Sequence, residues 1–523
     1  MMSLAKQNTA DPQAAGPGHP LDPLDRIAVA YLAVPLTIFL VGWFKLWVAL
    51  PLLVCVGFAL RPLVDGRHRT GSSSPVTPLH LVVAVLVGCS WTFLGGADHL
   101  VFANADWHIR DAVLHDLVVS PWPVGYGLLD GKESLLRAPL GFYLPAALVG
   151  KWLGLPAAHS AMGFWTALGA TLFLLQVLSL TPPRWAVAAG VCAIVVLFSG
   201  LDIIGSLLND GPRFRSDWNI TTHLEWWAGK YQYSSMTTQL FWVPNHAVGG
   251  WLVIGLLSRN RFGAALDGVL PMAVVTLALW SPLTALGVVP FVVWEVIAYT
   301  VQVQSLSLLR PRVWLPSLLV GMVVAAYLVL DLDHIPKGLS VGGKGAGPAM
   351  DLLQQAQFFL LEVGFIGAAT LAIHRSSRIA LALVVLALLP LAYLGPGNDL
   401  VMRASIPSLA VLAIGACLAL FNVGSAANGL RNKILLGGLL AVGAVTPIEE
   451  FARAAVLPAW PINMHATLIG ASCGVFAPHY VARLGDQIIG RLMRQPNRIP
   501  LGSMGREDCN NPAYALMWPK GPR

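Results

Sequence analysis

Unbroken apolar runs close to 20 residues long constrain this chain more than any other feature. A helix needs about 20 apolar residues to cross a bilayer, whereas a membrane β-strand alternates apolar with polar residues. Hydrophobic residues make up 56% of the chain and charged residues only 11%, too few to cover a soluble surface. The sequence therefore predicts an all-α, polytopic bundle of membrane-spanning helices. A soluble enzyme and a nucleic-acid-binding protein are excluded as the main body.

The apolar windows predict about thirteen spans, within a range of 12–14. They fall near 27–44, 46–64, 79–97, 160–181, 185–203, 240–257, 264–280, 283–303, 314–331, 352–373, 379–396, 402–421 and 433–447. Residues 462–481 are a candidate for one more span. The resulting organisation is a disordered cytoplasmic tail over 1–26, a transmembrane domain over 27–481, and a C-terminal tail over 482–523.

The distribution of basic residues predicts the orientation of the helices. Lys and Arg collect in cytoplasmic loops, and with the N-terminus inside, every second connection is short and basic. The opposite connections include two large outer loops, 98–159 and 204–239, which are richer in acids. This pattern requires that 138–155 form a surface or re-entrant helix. We expect an integral protein of a bacterial inner (plasma) membrane, with its active site facing the periplasm or exterior.

The first large outer loop carries the candidate catalytic residues Asp106, Asp111 and Asp98. Residues 107–117 have the pattern of a helix that lies on the membrane surface. Asp106 stands where it could cap this helix, or it could act as a general base or hold a metal ion. The candidate ligands for a divalent cation, Mn²⁺ or Mg²⁺, are Asp106, His108 and Asp111, although no cofactor is required by the pattern.

The second large outer loop interleaves aromatic rings with hydrogen-bonding side chains. An interfacial aromatic belt would explain the rings but not the polar groups between them. Flat rings beside polar side chains suit a sugar, which has an apolar face and a polar rim. The candidate sugar- or acceptor-binding residues are His223, Glu225, Trp226, Trp227, Gln239, Asn245 and His246.

Residues 395–403 place an arginine at the predicted outer edge of the membrane. Arg403 could extend to the interface, or its planar fork could bind the phosphate of a donor. Lys337 is a second candidate phosphate contact, and Asn398 and Asp399 join the candidate sugar or acceptor residues. Glu362 and Glu295 lie inside apolar runs, where a charge is a functional candidate by default.

Residues 79–200 resemble the GT-C superfamily of membrane glycosyltransferases, such as protein O-mannosyltransferases, aminoarabinose transferases and arabinofuranosyltransferases. The resemblance rests on an outer loop that contains ADWHIRDAVLHD, PWPVGYG and RAPLGFYLPAALVGKWLGL in that order. It implies transfer of a sugar from a polyprenyl-phosphate donor to a glycan, lipid or protein acceptor on the outer face. The family's first-loop acid matches Asp106 best and Asp98 next. The chain departs from the family in having Trp107 where an adjacent acid is usual.

Two other functions remain open on the sequence. A membrane transporter or a lipid or oligosaccharide flippase would use ionisable groups near the bilayer midplane, such as Glu362 and Glu295. A polysaccharide polymerase or O-acyltransferase would also have large outer loops. Most polar residues of this chain lie in the outer loops rather than within the spans, which favours chemistry at the membrane surface.

Overall fold

The computed structural model confirms a mostly helical chain. It describes residues 22–64, 76–211, 218–229, 231–259, 269–304, 306, 309–340, 352–395, 397–421, 429–465, 467–472, 480–485 and 488–498. Within these residues, eight helices are long and apolar enough to cross a membrane. They are Pro23–Trp43, Leu155–Leu178, Trp185–Asn209, Pro282–Gln302, Pro311–Leu328, Leu352–Ile373, Asp399–Phe421 and Gly429–Val456. Large apolar side chains such as Val54 and Trp185 are exposed on them and on neighbouring helices, as a lipid-facing surface requires. The protein is an integral membrane protein.

Five further apolar helices are shorter than a full crossing: Leu46–Ala59, Pro78–Leu94, Leu144–Leu153, Val269–Trp280 and Ser377–Leu391. Eight full-length helices are fewer than the 12–14 spans expected, because several apolar windows contain helix ends. The window 379–396, for example, turns into a strand at Ala392 after Pro390. The helix Leu144–Leu153 fits the expectation that 138–155 is not a span. The described part of 462–481 contains a helix of only four residues, Leu468–Ala471.

Two other helices bring residues of the second outer loop into the bundle. They are Met236–Trp242, whose Ser235 cap accepts from the amide of Thr238, and the buried helix Pro244–Arg259. Arg259 at the end of the second helix pairs with Asp25 in the first turn of Pro23–Trp43 at 2.9 Å. This first helix begins at Pro23, slightly before the expected boundary at 27. Residues 1–21 of the expected tail lie outside the described residues.

The predicted helix in the first outer loop forms over Asp106–Val119, and we call it the first-loop helix. It differs from the expectation in being enclosed by the protein on both faces instead of lying on a surface. Asp111 on its polar side and Val113 on its apolar side are both fully buried. Asp116 explains part of this, because its carboxylate accepts from the hydroxyl of Tyr126 and the amide of Leu468.

A small sheet joins the first outer loop to the C-terminal segment. The strands Val124–Leu129 and Lys132–Leu136 form a hairpin. Val481–Arg483 pairs with the second strand and Asn497–Arg498 with the first. Residues 482–498, expected to belong to the C-terminal tail, are therefore folded against the outer loop in the described part. Lys45, at the turn after the first helix, donates its amide to Leu492, so this turn lies at the same end of the bundle.

Further short elements are the helix Ile488–Leu492, 3₁₀ turns, a π turn and a second small sheet. The 3₁₀ turns are Arg61–Leu63, Leu140–Phe142, Leu224–Ala228, Leu332–His334 and Leu389–Leu391. Residues 198–201 interrupt the helices Trp185–Leu197 and Asp202–Asp210. A π-helical turn over Leu360–Gly364 interrupts the helix that spans Leu352–Ile373. The strands Lys337–Leu339 and Ala392–Leu394 pair antiparallel and lead into the short helix Asp399–Ala404.

Gly287 sets the distance between the helix Pro282–Val303 and the helix Asp399–Ala404. A Cβ at this position would overlap the backbone carbonyl of Ala404. Backbone atoms cannot move aside as the end of a flexible side chain can, so only a glycine permits this contact. The helix that carries Arg403 is thereby held directly against its neighbour.

We predict that Gly287→Ala destabilises the protein by about 1–3 kcal/mol, the usual cost of an overpacked contact. Gly57→Ala is the matched control, because a Cβ at Gly57 meets no atom within 4 Å. The control should be neutral or stabilising by about 0.5–1 kcal/mol, since alanine favours a helix more than glycine does. Thermal unfolding in detergent would measure both, and equal effects would refute the close contact.

Candidate functional site

The first-loop helix is anchored by a buried arginine. Arg110 is one turn beyond Asp106, and its Nη2 lies 3.1 Å from Asp106 Oδ2. The Nε of Arg110 donates to the side-chain oxygen of Asn245 at 3.4 Å. The Arg110 side chain is only 5% exposed, whereas that of Asp106 is 41% exposed. The pair therefore presents a carboxylate to the outside and keeps its guanidinium inside.

Asp106 is not the cap of its helix, so that alternative is wrong. The helix begins at Asp106 itself, and Ala105 occupies the cap position without a capping hydrogen bond. The side chain of Asn104 accepts from the amide of Asp106 at 3.0 Å, which satisfies a donor that a cap would otherwise serve. The Asp106 carboxylate is left to interact with Arg110.

A chain of hydrogen bonds leads from Arg110 to Arg403. Asn245 contacts His246 at 3.1 Å, and the other ring nitrogen of His246 lies 2.8 Å from the hydroxyl of Ser281. Ser281 bonds to Thr284 at 2.7 Å, and Thr284 donates to the carbonyl oxygen of Arg403 at 3.2 Å. The predicted acceptor residues Asn245 and His246 thus connect the first outer loop with the segment 395–403.

Arg403 repeats the arrangement found at Arg110. Its Nη2 lies 2.8 Å from Asp399 Oδ1, and the two partners are again four positions apart on one helix. Both side chains are partly exposed, at 27% for Arg403 and 19% for Asp399. The predicted phosphate contact Arg403 and the predicted catalytic residue Asp106 therefore belong to two similar ion pairs in one region.

Tyr480 lies among all four of these charged groups. Burial raises the pKa of its phenol, the guanidinium groups of Arg110 and Arg403 lower it, and the carboxylates of Asp106 and Asp399 raise it. The net result is a raised pKa, so the hydroxyl stays neutral at pH 7. We call Asp106, Arg110, Asn245, Asp399, Arg403 and Tyr480 the Asp–Arg site.

Several buried polar atoms around the Asp–Arg site receive no hydrogen bond from any residue that the structure describes. They are Nη1 of Arg110, the hydroxyl of Tyr143, and both side-chain amide atoms of Asn398. All three residues are at least 95% buried. Tyr143 is close enough to Asp106 and Arg110 to feel their charges. Buried polar groups normally have partners, so this region offers donors suited to an anionic or hydroxyl-rich ligand.

The other predicted catalytic residues have different surroundings. Asp111 lies 3.0 Å from Nε2 of His99 and 3.7 Å from Nδ1 of His159. Asp98 is half-buried and accepts from the amide of Leu100 at 3.2 Å. The side chain of His108 lies beside Trp460. Within the described ranges, no group of three or more His, Cys, Asp or Glu side chains is arranged to hold a metal ion.

In the second outer loop, Glu225 is buried among hydrogen-bond donors. Its carboxyl group accepts from the amide of Ser235 at 2.8 Å and from the side chain of Gln232. Burial raises the pKa of Glu225 to about 8, and the charges of Asp202 and Glu450 contribute in the same direction. Glu225 therefore carries a proton at neutral pH.

Trp226 is exposed in the second outer loop, and the buried His223 packs against it. Their rings stack at 4.8 Å with an angle of 9°, and Trp226 is 45% exposed. Burial and the charge of Arg453 lower the pKa of His223 well below its usual value, so its ring is neutral. Oε1 of Glu450 lies 3.8 Å from Nε2 of His223, and Oε2 of Glu450 accepts from the indole of Trp242 at 3.0 Å.

Of three further predicted residues, Gln239 and Trp227 form hydrogen bonds within the protein, and Lys337 lies at the surface. Gln239 donates to the carbonyl of Ser234 and accepts from Trp251, which uses both ends of its amide. Trp227 is buried and donates to Glu362 at 2.7 Å. Lys337 is exposed at the edge of its two-stranded sheet and lies 3.7 Å from Asp333.

The sequence analysis did not identify Arg110, Tyr480, Glu450 or Arg453 as site residues. A signal for the first was present, because Asp106/Arg110 and Asp399/Arg403 share the same four-residue spacing on helices. Glu450 and Arg453 also have helical spacing. Nothing in the sequence indicates Tyr480, which reaches the site through pairing of the strand that follows it.

Comparisons with protein-family models, with characterised proteins and with solved structures find no match to this chain. What the site can do chemically must therefore be argued from the residues that form it.

We predict that Glu225→Gln removes a pH dependence of stability. The folded protein holds this proton up to a pH of about 8, while the unfolded chain releases it near its ordinary value of 4.5. The folded state thus binds more protons between these values, and its stability falls as the pH rises, by up to about 1.4 kcal/mol per pH unit.

Thermal unfolding in detergent between pH 5 and pH 8 would measure this slope. The variant should show a shallower fall than the wild type. Asp333→Asn is the control, because the Asp333 side chain is fully exposed, and it should keep the wild-type slope. An unchanged slope in Glu225→Gln would show that Glu225 is ionised in the folded protein.

Proposed function

We propose that this protein is a membrane glycosyltransferase that moves a sugar from a polyprenyl-phosphate donor to a glycan, lipid or protein acceptor. The proposal places the reaction on the outer face of a bacterial inner membrane, with the N-terminus in the cytoplasm. The observation that carries it is the convergence of two Asp–Arg pairs and a neutral tyrosine at one site beside the membrane helices.

The charges of the Asp–Arg site support binding of a phosphate beside a carboxylate. Arginine suits phosphate because its fork can donate two parallel hydrogen bonds. Arg110 has a buried Nη1 without a partner among the described residues, and Arg403 is partly exposed. A phosphate that contacts Arg110 and Arg403 would bind two guanidinium groups, each of which is paired with one carboxylate, Asp106 or Asp399.

In the proposed reaction, an acceptor hydroxyl attacks the anomeric carbon of the sugar. A carbon–oxygen bond forms to the acceptor as the bond between the anomeric carbon and the phosphate oxygen breaks. The polyprenyl phosphate leaves with the electron pair, and Arg110 and Arg403 stabilise its charge. The proton of the acceptor passes to the exposed carboxylate of Asp106, which acts as the general base. The step balances without a divalent cation.

The second outer loop supports the binding of sugar or acceptor in this proposal. Trp226 offers an exposed ring with His223 stacked beneath it, and such a flat surface suits the apolar face of a sugar. Asn398 contributes a buried amide without a partner among the described residues. These groups would position the acceptor and the sugar relative to Asp106.

We predict that Asp106→Asn abolishes sugar transfer while the protein remains folded, because an amide cannot accept the proton. The loss should be at least 100-fold, the lower end of the usual contribution of a general base. Transfer of a radiolabelled sugar from a polyprenyl-phosphate donor would measure it. Asp130→Asn, which changes an exposed carboxylate in the same outer loop, should retain activity. Full activity of Asp106→Asn would exclude Asp106 as the base.

We predict that Arg403→Met weakens the binding of polyprenyl phosphate about 10- to 100-fold, because a hydrogen bond to a charged group contributes about 1.5–3 kcal/mol. Binding to the protein in nanodiscs would be measured by microscale thermophoresis. Lys132→Met is the control, since Lys132 is exposed on the outer hairpin, and it should bind like the wild type. Unchanged affinity in Arg403→Met would remove Arg403 from the phosphate site.

A transporter is the alternative function that one observation favours. Asp202 and Glu362 are buried carboxyl groups within membrane-spanning segments, as the ion pathway of a transporter requires. Substrate uptake into proteoliposomes, unaffected by Asp106→Asn but lost in Glu362→Gln, would favour transport over sugar transfer.

A further inference from the structure

Two buried carboxyl groups meet where two membrane helices are irregular. Asp202 begins the helix that follows the break at 198–201, and Glu362 lies in the π-helical turn Leu360–Gly364. The amide of Leu201 donates to the carbonyl of Leu361 at 3.0 Å, so the two backbones are in direct contact. A Cβ at Gly200 would overlap the carboxylate of Glu362. The break therefore makes room for the Glu362 side chain.

Each of these carboxyl groups uses one oxygen for donors from other helices or loops. Asp202 Oδ2 accepts from the hydroxyls of Ser199 and Thr446, each at 2.8 Å. Glu362 Oε1 accepts from the indole of Trp227 at 2.7 Å. The remaining oxygens, Asp202 Oδ1 and Glu362 Oε2, are buried and receive no hydrogen bond from a donor in the described ranges.

One proton shared by the two carboxyl groups would give both oxygens a hydrogen bond. The two carboxyl groups are within hydrogen-bonding distance of each other, and two carboxylates in a dry site cannot both carry a charge. A single proton between them supplies the donor that both oxygens need. Since Asp202 already accepts from two hydroxyls, its charged form is the better stabilised, and the proton belongs on Glu362 Oε2.

We propose that Asp202 and Glu362 form a proton-binding pair that fastens the second outer loop to the membrane helices. Glu362 donates its proton to Asp202 and accepts from Trp227, while Asp202 accepts from Thr446. One proton thus links the segment Leu224–Ala228 with Leu352–Ile373 and Gly429–Val456. Release of this proton to water leaves two adjacent charges, whose repulsion separates the pair and loosens Trp227. This proposal is independent of the sugar-transfer reaction.

The groups that face the pair also oppose a second negative charge. Glu225 from the Leu224–Ala228 turn acts on Glu362 at a pH at which Glu225 is itself ionised, and the Tyr233 hydroxyl is close enough to feel the charge of Glu362. Glu450 is close enough to Glu225 to act on it, and the charge of Glu450 is paired with that of Arg453. Neither Asp202 nor Glu362 forms an ion pair with a basic residue in the described part of the chain.

Infrared difference spectroscopy of the full-length protein in nanodiscs tests the proposal directly. A protonated carboxyl group has a C=O stretching band that a carboxylate lacks. The spectrum of the wild type minus that of Glu362→Gln should contain one such band at neutral pH. The variant should stay folded, because an amide can donate to Asp202 and accept from Trp227. Glu225→Gln should keep the band assigned to Glu362.

Glu295→Gln is the matched control for burial within a membrane helix. Glu295 is 4% exposed but is paired with Arg378 at 2.5 Å, so it is ionised and its replacement should remove no protonated-carboxyl band. Hydrogen exchange provides a second readout. At alkaline pH, in a Glu225→Gln background that removes the titration of Glu225, residues 224–228 should lose protection when Glu362 is present but keep it when Glu362→Gln is added, with both proteins measured at the same pH.

The proposal is overturned if the spectrum of Glu362→Gln contains the same carboxyl band as the wild type, because Glu362 would then carry no proton. The proposal is also overturned if Na⁺ stabilises the wild type but not Glu362→Gln, because the ligand of the pair would then be a bound cation and not a proton. Equal protection of residues 224–228 in both proteins at alkaline pH would leave no role for the pair in fastening the loop.

Discussion

The buried guanidinium of Arg110 is the interaction on which the arrangement of the outer loops depends. A charge that is removed from water must be paired and hydrogen-bonded. Arg110 meets this requirement with Asp106 on its own helix and Asn245 on the helix Pro244–Arg259. The first-loop helix is thereby attached to the helix Pro244–Arg259, and Asn104 and Trp107 strengthen the attachment by donating to the carbonyl of Phe241. The exposed carboxylate of Asp106 takes its position from this attachment.

The same requirement governs the rest of the polar interior. Arg403 is paired with Asp399, Arg453 with Glu450, Arg378 with Glu295, and Arg259 with Asp25. Asp202 and Glu362, like Glu225, form no ion pair with a cation in the described residues, which is why a proton is the ligand inferred for them. Ion pairs hold the loops against the helices. At the Asp–Arg site, the pairs of Arg110 and Arg403 are connected by hydrogen bonds that run through His246 and Ser281.

The sequence was sufficient for the class of fold and selected several residues of the candidate site. Apolar runs predicted a helical membrane protein, because the need to span a bilayer is visible residue by residue. Asp106, Asn245, His246, Asp399 and Arg403 were selected by their chemistry, and they lie in one region. The number of full-length helices was overestimated, since helix ends at positions such as Ala59 and Leu391 depend on packing.

Other parts could not be inferred from local patterns. The first-loop helix was expected on the membrane surface, but contacts from the distant residues Tyr126 and Leu468 bury it. Tyr480 enters the site because Val481–Arg483 pairs with the outer hairpin, a long-range contact that has no signature in a single sequence. The partnership of Asp202 with Glu362 also depends on a contact between segments about 160 residues apart.

The central claim is that Arg110 and Arg403 serve one phosphate-binding site. A double-mutant cycle on polyprenyl-phosphate affinity tests it most directly, with Arg110→Met, Arg403→Met and the double variant compared with the wild type in nanodiscs. If both guanidinium groups contact the same phosphate, the free-energy losses are non-additive by about 0.5–3 kcal/mol. Additive losses, or no loss from either single variant, would contradict a shared site.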